Sequence, residues 1–246
     1  MLRRVLLALC ITTFTSMAFA EGADFSINCV TDPGSCQADF DSIVEDASTA
    51  LNFKNLGPAE ATGLTGVGVA LFLAYAPTEN PEAWKRITGS EVDAVVMPGL
   101  MVRKGLPFNI DIGAFYAGVP GAKADLFGAE IRYAILEGGV ASPALAVRAT
   151  YVGTSGFDDF NYRSYGGDVS ISKGFAILTP YLGAGYTSSK ADPKNSARTA
   201  GLDTVTINRE RVFAGVRIGL ALLDIIPEYE RVGSNNSYNL LLGLSF

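Results

Sequence analysis

The sequence predicts an all-β protein: a closed antiparallel transmembrane β-barrel of about ten strands, with eight as the alternative count, preceded by a short amphipathic helix. Three observations carry that prediction. The chain has 246 residues and a mean hydropathy of +0.25, yet it holds 27 glycines, a combination foreign to a soluble helical core. Beyond residue 20 it has no uninterrupted apolar run of the roughly 20 residues a spanning helix needs; Phe213 to Pro227 comes closest and is broken by Arg217 and Asp224. Apolar residues instead recur with period two in one segment after another, which is how a strand faces hydrocarbon on one side. Such a sheet must close, because an open edge in lipid leaves backbone groups unpaired.

Met1 to Ala20 reads as a secretory signal peptide. Arg3 and Arg4 form the positive start, Val5 onward is apolar, and Ala18-Phe19-Ala20 gives the small-x-small cleavage pattern. Polar Thr12, Thr13, Thr15 and Ser16 interrupt the run before it reaches anchor length. Cys10 is no lipidation site, since Leu9 is too large to precede one. Cleavage removes two arginines and no acid, taking the formal charge from −6 to −8. An acidic mature chain lacks the basic surface that nucleic acid requires, so no nucleic-acid partner is expected.

Residues 21–60 form a separate N-terminal segment. Its cysteines, Cys29 and Cys36, flank a turn-rich loop in a chain destined for an oxidising compartment. A disulfide across so short a loop contributes about 2.5 kcal/mol in the chain-entropy model. The alternative, a metal site, is short of ligands: two cysteines without any histidine do not complete a typical zinc tetrahedron. No metal or cofactor is expected. Residues 37–52 follow with helical spacing at Phe40, Ile43, Val44, Ala47 and Leu51, and Asp39, Asp41, Glu45 and Asp46 on the polar side. Two placements fit this helix. The plainer one packs it at the periplasmic mouth of the barrel; the sharper one makes it a plug inside.

The barrel is expected over residues 61–246, with strands near 64–76, 91–103, 106–119, 122–137, 142–154, 163–175, 177–190, 205–221, 223–233 and 236–246. Val67, Val69, Leu71, Leu73 and Tyr75 alternate with Gly66, Gly68, Ala70 and Ala74. Phe108, Ile110, Ile112, Ala114 and Tyr116 alternate with Asn109, Asp111 and Gly113. Phe127, Ala129, Ile131, Tyr133 and Ile135 alternate with Gly128, Glu130 and Arg132, and Val212 to Leu220 alternate with Arg211, Gly215, Arg217 and Gly219. Short joins near Lys104-Gly105, Glu137-Gly138, Phe175-Ala176 and Leu222-Leu223 read as periplasmic turns. The longer joins, 77–90, 155–162 and 191–204, fall at the other end, where extracellular loops belong. A soluble secreted barrel or sandwich also shows one-sided alternation, but it would have to bury the apolar face.

The last strand places Tyr238, Leu240, Leu242, Leu244 and Phe246 on one face, with Leu241 as the exception on the other. This spacing with a terminal phenylalanine resembles the C-terminal signal strand of Gram-negative outer-membrane proteins. The run Ala50 to Glu60 leading into Gly63-Leu64-Thr65-Gly66 resembles the start of the barrel in a group of uncharacterised outer-membrane proteins. Thr179-Pro180-Tyr181-Leu182-Gly183-Ala184-Gly185-Tyr186 is similar to a strand common in small outer-membrane barrels. The resemblance implies a bacterial outer-membrane location, lipid as a partner, and the barrel-assembly machinery reading the C-terminal strand. It implies no reaction.

The search for chemistry is dominated by the absence of histidine. Barrel lipases, deacylases, palmitoyl transferases and omptin-type proteases resemble one another in using histidine for proton transfer, and serine nucleophiles need such a base. No catalytic residue is therefore assigned, and the chain is not read as an enzyme. Asp158-Asp159 beside Gly156 reads as a solvated acidic loop, and Gly183-Ala184-Gly185 lacks the following helix of a nucleotide fingerprint. The alternation sends Asp111, Glu130, Asp168, Glu228 and Glu230 into the lumen together with Arg132, Arg148, Arg211 and Arg217. Buried charges demand partners, and so nearly balanced a set can close the lumen as an ion-pair network. It can also line a narrow pore. The expected role is structural or surface-interacting, and the alternative is a narrow channel for small polar solutes.

Overall fold

The computed structural model describes residues 27, 33–119, 124–139, 142–157 and 159–245. The expected signal peptide (1–20), Cys29 and Phe246 lie outside the described residues, and with them the Cys29–Cys36 pairing.

Ten strands close a single antiparallel barrel among the described residues. They are β1 (Val67–Pro77), β2 (Ala94–Leu106), β3 (Ile110–Val119), β4 (Ala124–Glu137), β5 (Ala144–Ser155), β6 (Phe160–Ser172), β7 (Leu178–Pro193), β8 (Val205–Leu220), β9 (Leu223–Val232) and β10 (Asn235–Ser245). Each pairs with the next, and β10 returns to β1 with Tyr75 opposite Tyr238 and Val69 opposite Leu244. The count and order match the sequence expectation. One correction concerns the β2–β3 turn, which falls at Pro107–Asn109 rather than at Lys104-Gly105. Phe108 and Asn109 adopt φ of 64° and 59° there, the left-handed conformation that lets a tight hairpin match strand twist.

The joins 78–93, 156–159, 194–204 and 233–234, with the ends of β3 and β4 at Val119 and Ala124, lie at one end, here called the loop face, and the remaining four joins lie at the turn face. Two of the loop-face joins carry helices. Helix α2 (Pro81–Thr88) rises from 78–93, and the short α3 (Asn195–Thr199) from 194–204.

The predicted alternation resolves into an apolar exterior and a polar interior. Leu71, Ile131 and Leu182 are exposed to 63%, 52% and 60%, while Glu130 and Arg132, next to Ile131, are buried. An apolar surface of this extent on a closed barrel is stable against hydrocarbon, and this is the architecture of an outer-membrane-type barrel. Aromatic rings gather on the exterior toward the loop face. Tyr75, Tyr238 and Tyr229 stand side by side across β1, β10 and β9, and Tyr116 faces Phe127 across β3 and β4. Tyr151 lies 5.2 Å from Tyr165 and 6.4 Å from Phe127 between ring centroids. A ring of amphipathic aromatics at one level marks a membrane–water boundary.

Helix α1 (Pro33–Ala50) precedes the barrel, beginning before the apolar stripe that starts at Phe40. Its Phe40, Ile43, Val44 and Ala47 are buried in the same cluster as Trp84, Phe157 and Phe160 of the loop face. The helix thus occupies the loop-face mouth, the end opposite the four turns. An amphipathic stripe requires an apolar partner but does not say which mouth supplies it.

Candidate functional site: the occupied lumen

From α1 the chain continues through the barrel as residues 51–62 in a non-helical path before turning into β1. Such a segment has no sheet partner, so its buried backbone groups must be answered by side chains. The lumen supplies them. On the carbonyl side, Arg148 donates to Lys54 O at 3.3 Å, Arg103 to Asn55 O and to Leu56 O at 2.7 Å, and Arg132 to Pro58 O at 2.7 Å. On the amide side, Leu56 N–H donates to Glu228 Oε2 at 2.8 Å, Ala59 N–H to Ser172 Oγ at 3.1 Å, and Thr62 N–H to Asp111 Oδ1 at 3.0 Å.

Side chains of the segment add to this hold. Lys54 Nζ lies 2.5 Å from Glu230 Oε2 and also donates to Thr49 O at 2.5 Å. Phe53 meets Phe115 edge-to-face at 5.0 Å, and the Arg148 guanidinium sits 5.7 Å from the Phe53 ring centre. Leu56 is fully buried. At Gly57 a Cβ would approach Arg103 Nη1 to 2.7 Å, so a side chain there would have to push the guanidinium aside.

Behind the segment the charges pair with one another, although Arg211 Nε and Nη2 and Glu230 Oε1 lie buried without a well-aligned hydrogen bond. Arg148 bridges Asp168 at 2.6 Å and Glu130 at 3.2 Å, and Arg103 pairs with Glu130 at 2.6 Å. Arg132 pairs with Asp111 at 2.7 Å, and Arg211 joins Glu230 at 2.5 Å and Asp168 at 3.2 Å. Glu228 accepts from Tyr181 at 2.8 Å and from Asn239 at 3.3 Å. Arg217 stands apart, half-exposed near the turn face, where it meets Glu60 at 3.1 Å. All nine residues assigned to the lumen from the sequence thus face inward, and eight of them are buried. Charges this deep are stable only as a connected set, and the connection runs through the segment's own backbone.

Sequence reasoning missed Arg103, Lys54 and Tyr181. Arg103 follows Met97 and Met101 at period two on β2, so its inward position was readable. Tyr181 shares the inward parity of Gly183 on β7 and was readable in the same way, whereas Lys54, outside any strand, gave no such signal. Of the acidic pair read as a solvated loop, Asp158 lies outside the described residues, and Asp159 corrects the reading, because it is tucked under the loop face rather than solvated. Asp159 is buried and accepts the Ile27 N–H at 2.7 Å. Outward Tyr238, Leu240 and Leu244 of β10 face the exterior. Among the described residues no group of three or more His, Cys, Asp or Glu is arranged to hold a metal ion.

The two ends of the segment differ. At the loop face Asp46 of α1 gathers five donors: Trp84 Nε1 at 2.9 Å, Asn235 Nδ2 at 2.8 Å, Asn80 Nδ2 at 3.2 Å, Glu79 N–H at 3.2 Å and Asn80 N–H at 3.3 Å. Asp39 pairs with Arg86 at 2.6 Å, and that hydrogen bond raises the Arg86 guanidinium above its ordinary pKa. At the turn face a cavity of about 330 Å³ is lined by Gly57, Glu60, Arg103, Arg217, Asp224 and Ser245 among others, and Leu56, Gly57 and Pro58 bound it on the lumen side. It is a vestibule that ends on the segment.

Comparison with known proteins finds no matching family model and no matching curated protein. Among solved structures the chain is similar to the N-terminal β-barrel domain of Pseudomonas aeruginosa OprF, at 12% identity and a TM-score of 0.39, covering 75% of this chain and 99% of that one. It is similar to the KdgM porin at 10% identity and a TM-score of 0.37, covering 73% and 99%. It is also similar to Ail, the attachment invasion locus protein of Yersinia pestis, at 12% identity and a TM-score of 0.31, covering 74% and 98%.

Proposed function

We propose that this chain is a bacterial outer-membrane barrel with a structural or surface-interaction role, sealed by its own residues 51–62 and working through its loop face. The observation that carries this reading is the occupied lumen: Phe53, Lys54, Asn55 and Leu56 are all buried between opposing walls. A wall whose arginines and carboxylates already bind a resident backbone has few groups left for a passing solute. The apolar exterior and its aromatic ring make lipid the first partner. Outward Tyr238, Leu240 and Leu244 give β10 the face that a barrel-assembly machinery would read. On that reading, Tyr238→Ser with Leu240→Ser slows assembly in cells while leaving refolding into detergent unchanged.

The test of the sealed lumen is single-channel recording of the refolded full-length protein in planar bilayers. Heat-modifiable gel mobility first establishes that the barrel is folded. Silence of the folded protein supports the reading, and steady conductance refutes it. The vestibule at the turn face favours a second reading, a gated channel for small polar solutes. That reading requires the segment to leave the lumen, and it predicts openings when a ligand or voltage is applied.

A further inference from the structure

Helix α1 and the first residue of β1 lie at opposite ends of the barrel. β1 starts at the turn face, where Gly105 N–H bonds Gly66 O at 3.1 Å. α1 stands at the loop face, and its polar contacts to the barrel and its joins are to groups of that end. Asp203 N–H of the 194–204 join donates to Gln37 Oε1 at 2.8 Å, and Glu45 pairs with Arg209 at 2.6 Å near the start of β8. Ile27, earlier still in the chain, donates its N–H to Asp159 of the 156–159 join.

Between these ends the partners of the segment follow one another down the axis. Lys54 meets Glu230, two residues from the loop-face end of β9. Leu56 meets Glu228, Pro58 meets Arg132, and Ala59 meets Ser172, the turn-face end of β6. Thr62 meets Asp111, the second residue of β3, again at the turn face. Residues 51–62 extended reach at most about 40 Å, against a hydrocarbon band of about 25 Å. The path is long enough to cross, and the contacts are ordered as a crossing requires.

We infer that the barrel carries its own N-terminal segment across the membrane, so that Ile27 and residues 33–50 are displayed outside the cell with the long joins, on the side opposite the turns. This rests on the outer-membrane reading given above and on long joins facing outward. The grip explains how the crossing segment is held. Arg103, Arg132 and Arg148 bind main-chain carbonyls, which every residue offers, and this main-chain hold adds to that of the Lys54 and Phe53 side chains. The displayed surface is composite: α1, with exposed Gly34, Ser35 and Asp41, meets α2 through Asp39 and Arg86 and the 194–204 join through Gln37 and Asp203.

The experiment uses the full chain with Asp41→Lys, in intact cells treated with a membrane-impermeant amine-reactive biotin and mapped by mass spectrometry. Asp41 is exposed and its side chain accepts a hydrogen bond from Gln37 of the same helix at 2.7 Å, so the change leaves the lumen contacts alone. Lys85, with 56% of its side chain exposed on α2, marks the loop face, and Lys173 in the 173–177 join marks the turn face. The expected result is labelling of the introduced lysine and of Lys85 in intact cells, unchanged by permeabilisation, with Lys173 labelled only after it. Labelling of Lys85 in intact cells while the introduced lysine waits for permeabilisation overturns the inference and leaves the barrel reading standing. Recovery of the protein in the soluble fraction, or labelling of none of the three until permeabilisation, overturns both. A short epitope tag between Gly22 and Ala23, probed by antibody on intact cells, gives an independent readout with the same expected and contrary results.

Discussion

Lys54→Met tests how strongly the segment is held. The substitution keeps most of the side-chain volume and removes an ammonium that touches Glu230 Oε2 and Thr49 O, each at 2.5 Å. Removing one partner of a buried pair costs about 3–5 kcal/mol, because the other charge is left uncompensated. Glu230 keeps Arg211 at 2.5 Å, so the low end, about 3 kcal/mol, applies. The cost falls on the docked segment and not on the sheet, whose hydrogen bonds are untouched. It therefore raises the population with a displaced segment by about 150-fold. The assay is single-channel recording, with the frequency of openings as readout. Adding Glu230→Gln removes the stranded charge while leaving an amide oxygen for Arg211, so the double variant recovers most of the loss. A coupling of about 2 kcal/mol, or about 30-fold in openings, is expected. Single and double variants indistinguishable from the parent, with coupling below about 0.5 kcal/mol, would refute the claim that this pair holds the segment.

Other consequences are more local. Gly57→Val drives a Cβ to 2.7 Å from Arg103 Nη1 and displaces the guanidinium from Leu56 O; openings should appear at a cost of about 1–3 kcal/mol in the docked state. Trp84 is the sole tryptophan and donates to Asp46 at 2.9 Å, so Asp46→Leu should red-shift its emission as the loop-face mouth loosens. Trp84→Phe removes one of five donors to Asp46 and should lower stability by only about 1 kcal/mol, read from urea unfolding in detergent. Leu71→Arg places a charge at the middle of the apolar band and should cost about 2–4 kcal/mol in refolding into vesicles, whereas Leu64→Arg, equally exposed but before β1, should cost little.

Most of the barrel was legible because a membrane strand carries its environment in a period of two. Ile131 and Arg132 alternate so plainly that inside and outside follow without further information. Even the break in the pattern of β10 has a local cause: Leu241 turns inward opposite Phe72, which it meets in the lumen's apolar filling. The β2–β3 turn was misplaced because Phe108 takes a positive φ, a conformation few bulky residues adopt and composition does not announce. The placement of α1 was not legible, since the helix records only that it needs an apolar partner and not which mouth supplies it. The grip on the segment was hidden for a related reason. Arg103, Arg132 and Arg148 bind main-chain oxygens, which carry no sequence signal. The same lumen charges read equally well as a pore lining until the position of residues 51–62 was known.

The most direct test of the central claim, that a backbone held by lumen charges seals the barrel, is hydrogen exchange of residues 51–62 in the folded full-length protein. The account predicts that the amides of Leu56, Ala59 and Thr62, bonded to Glu228, Ser172 and Asp111, exchange at least about a hundredfold more slowly than in an unfolded chain. Exchange of this peptide at unfolded-chain rates, in a barrel whose strands remain protected, would contradict it.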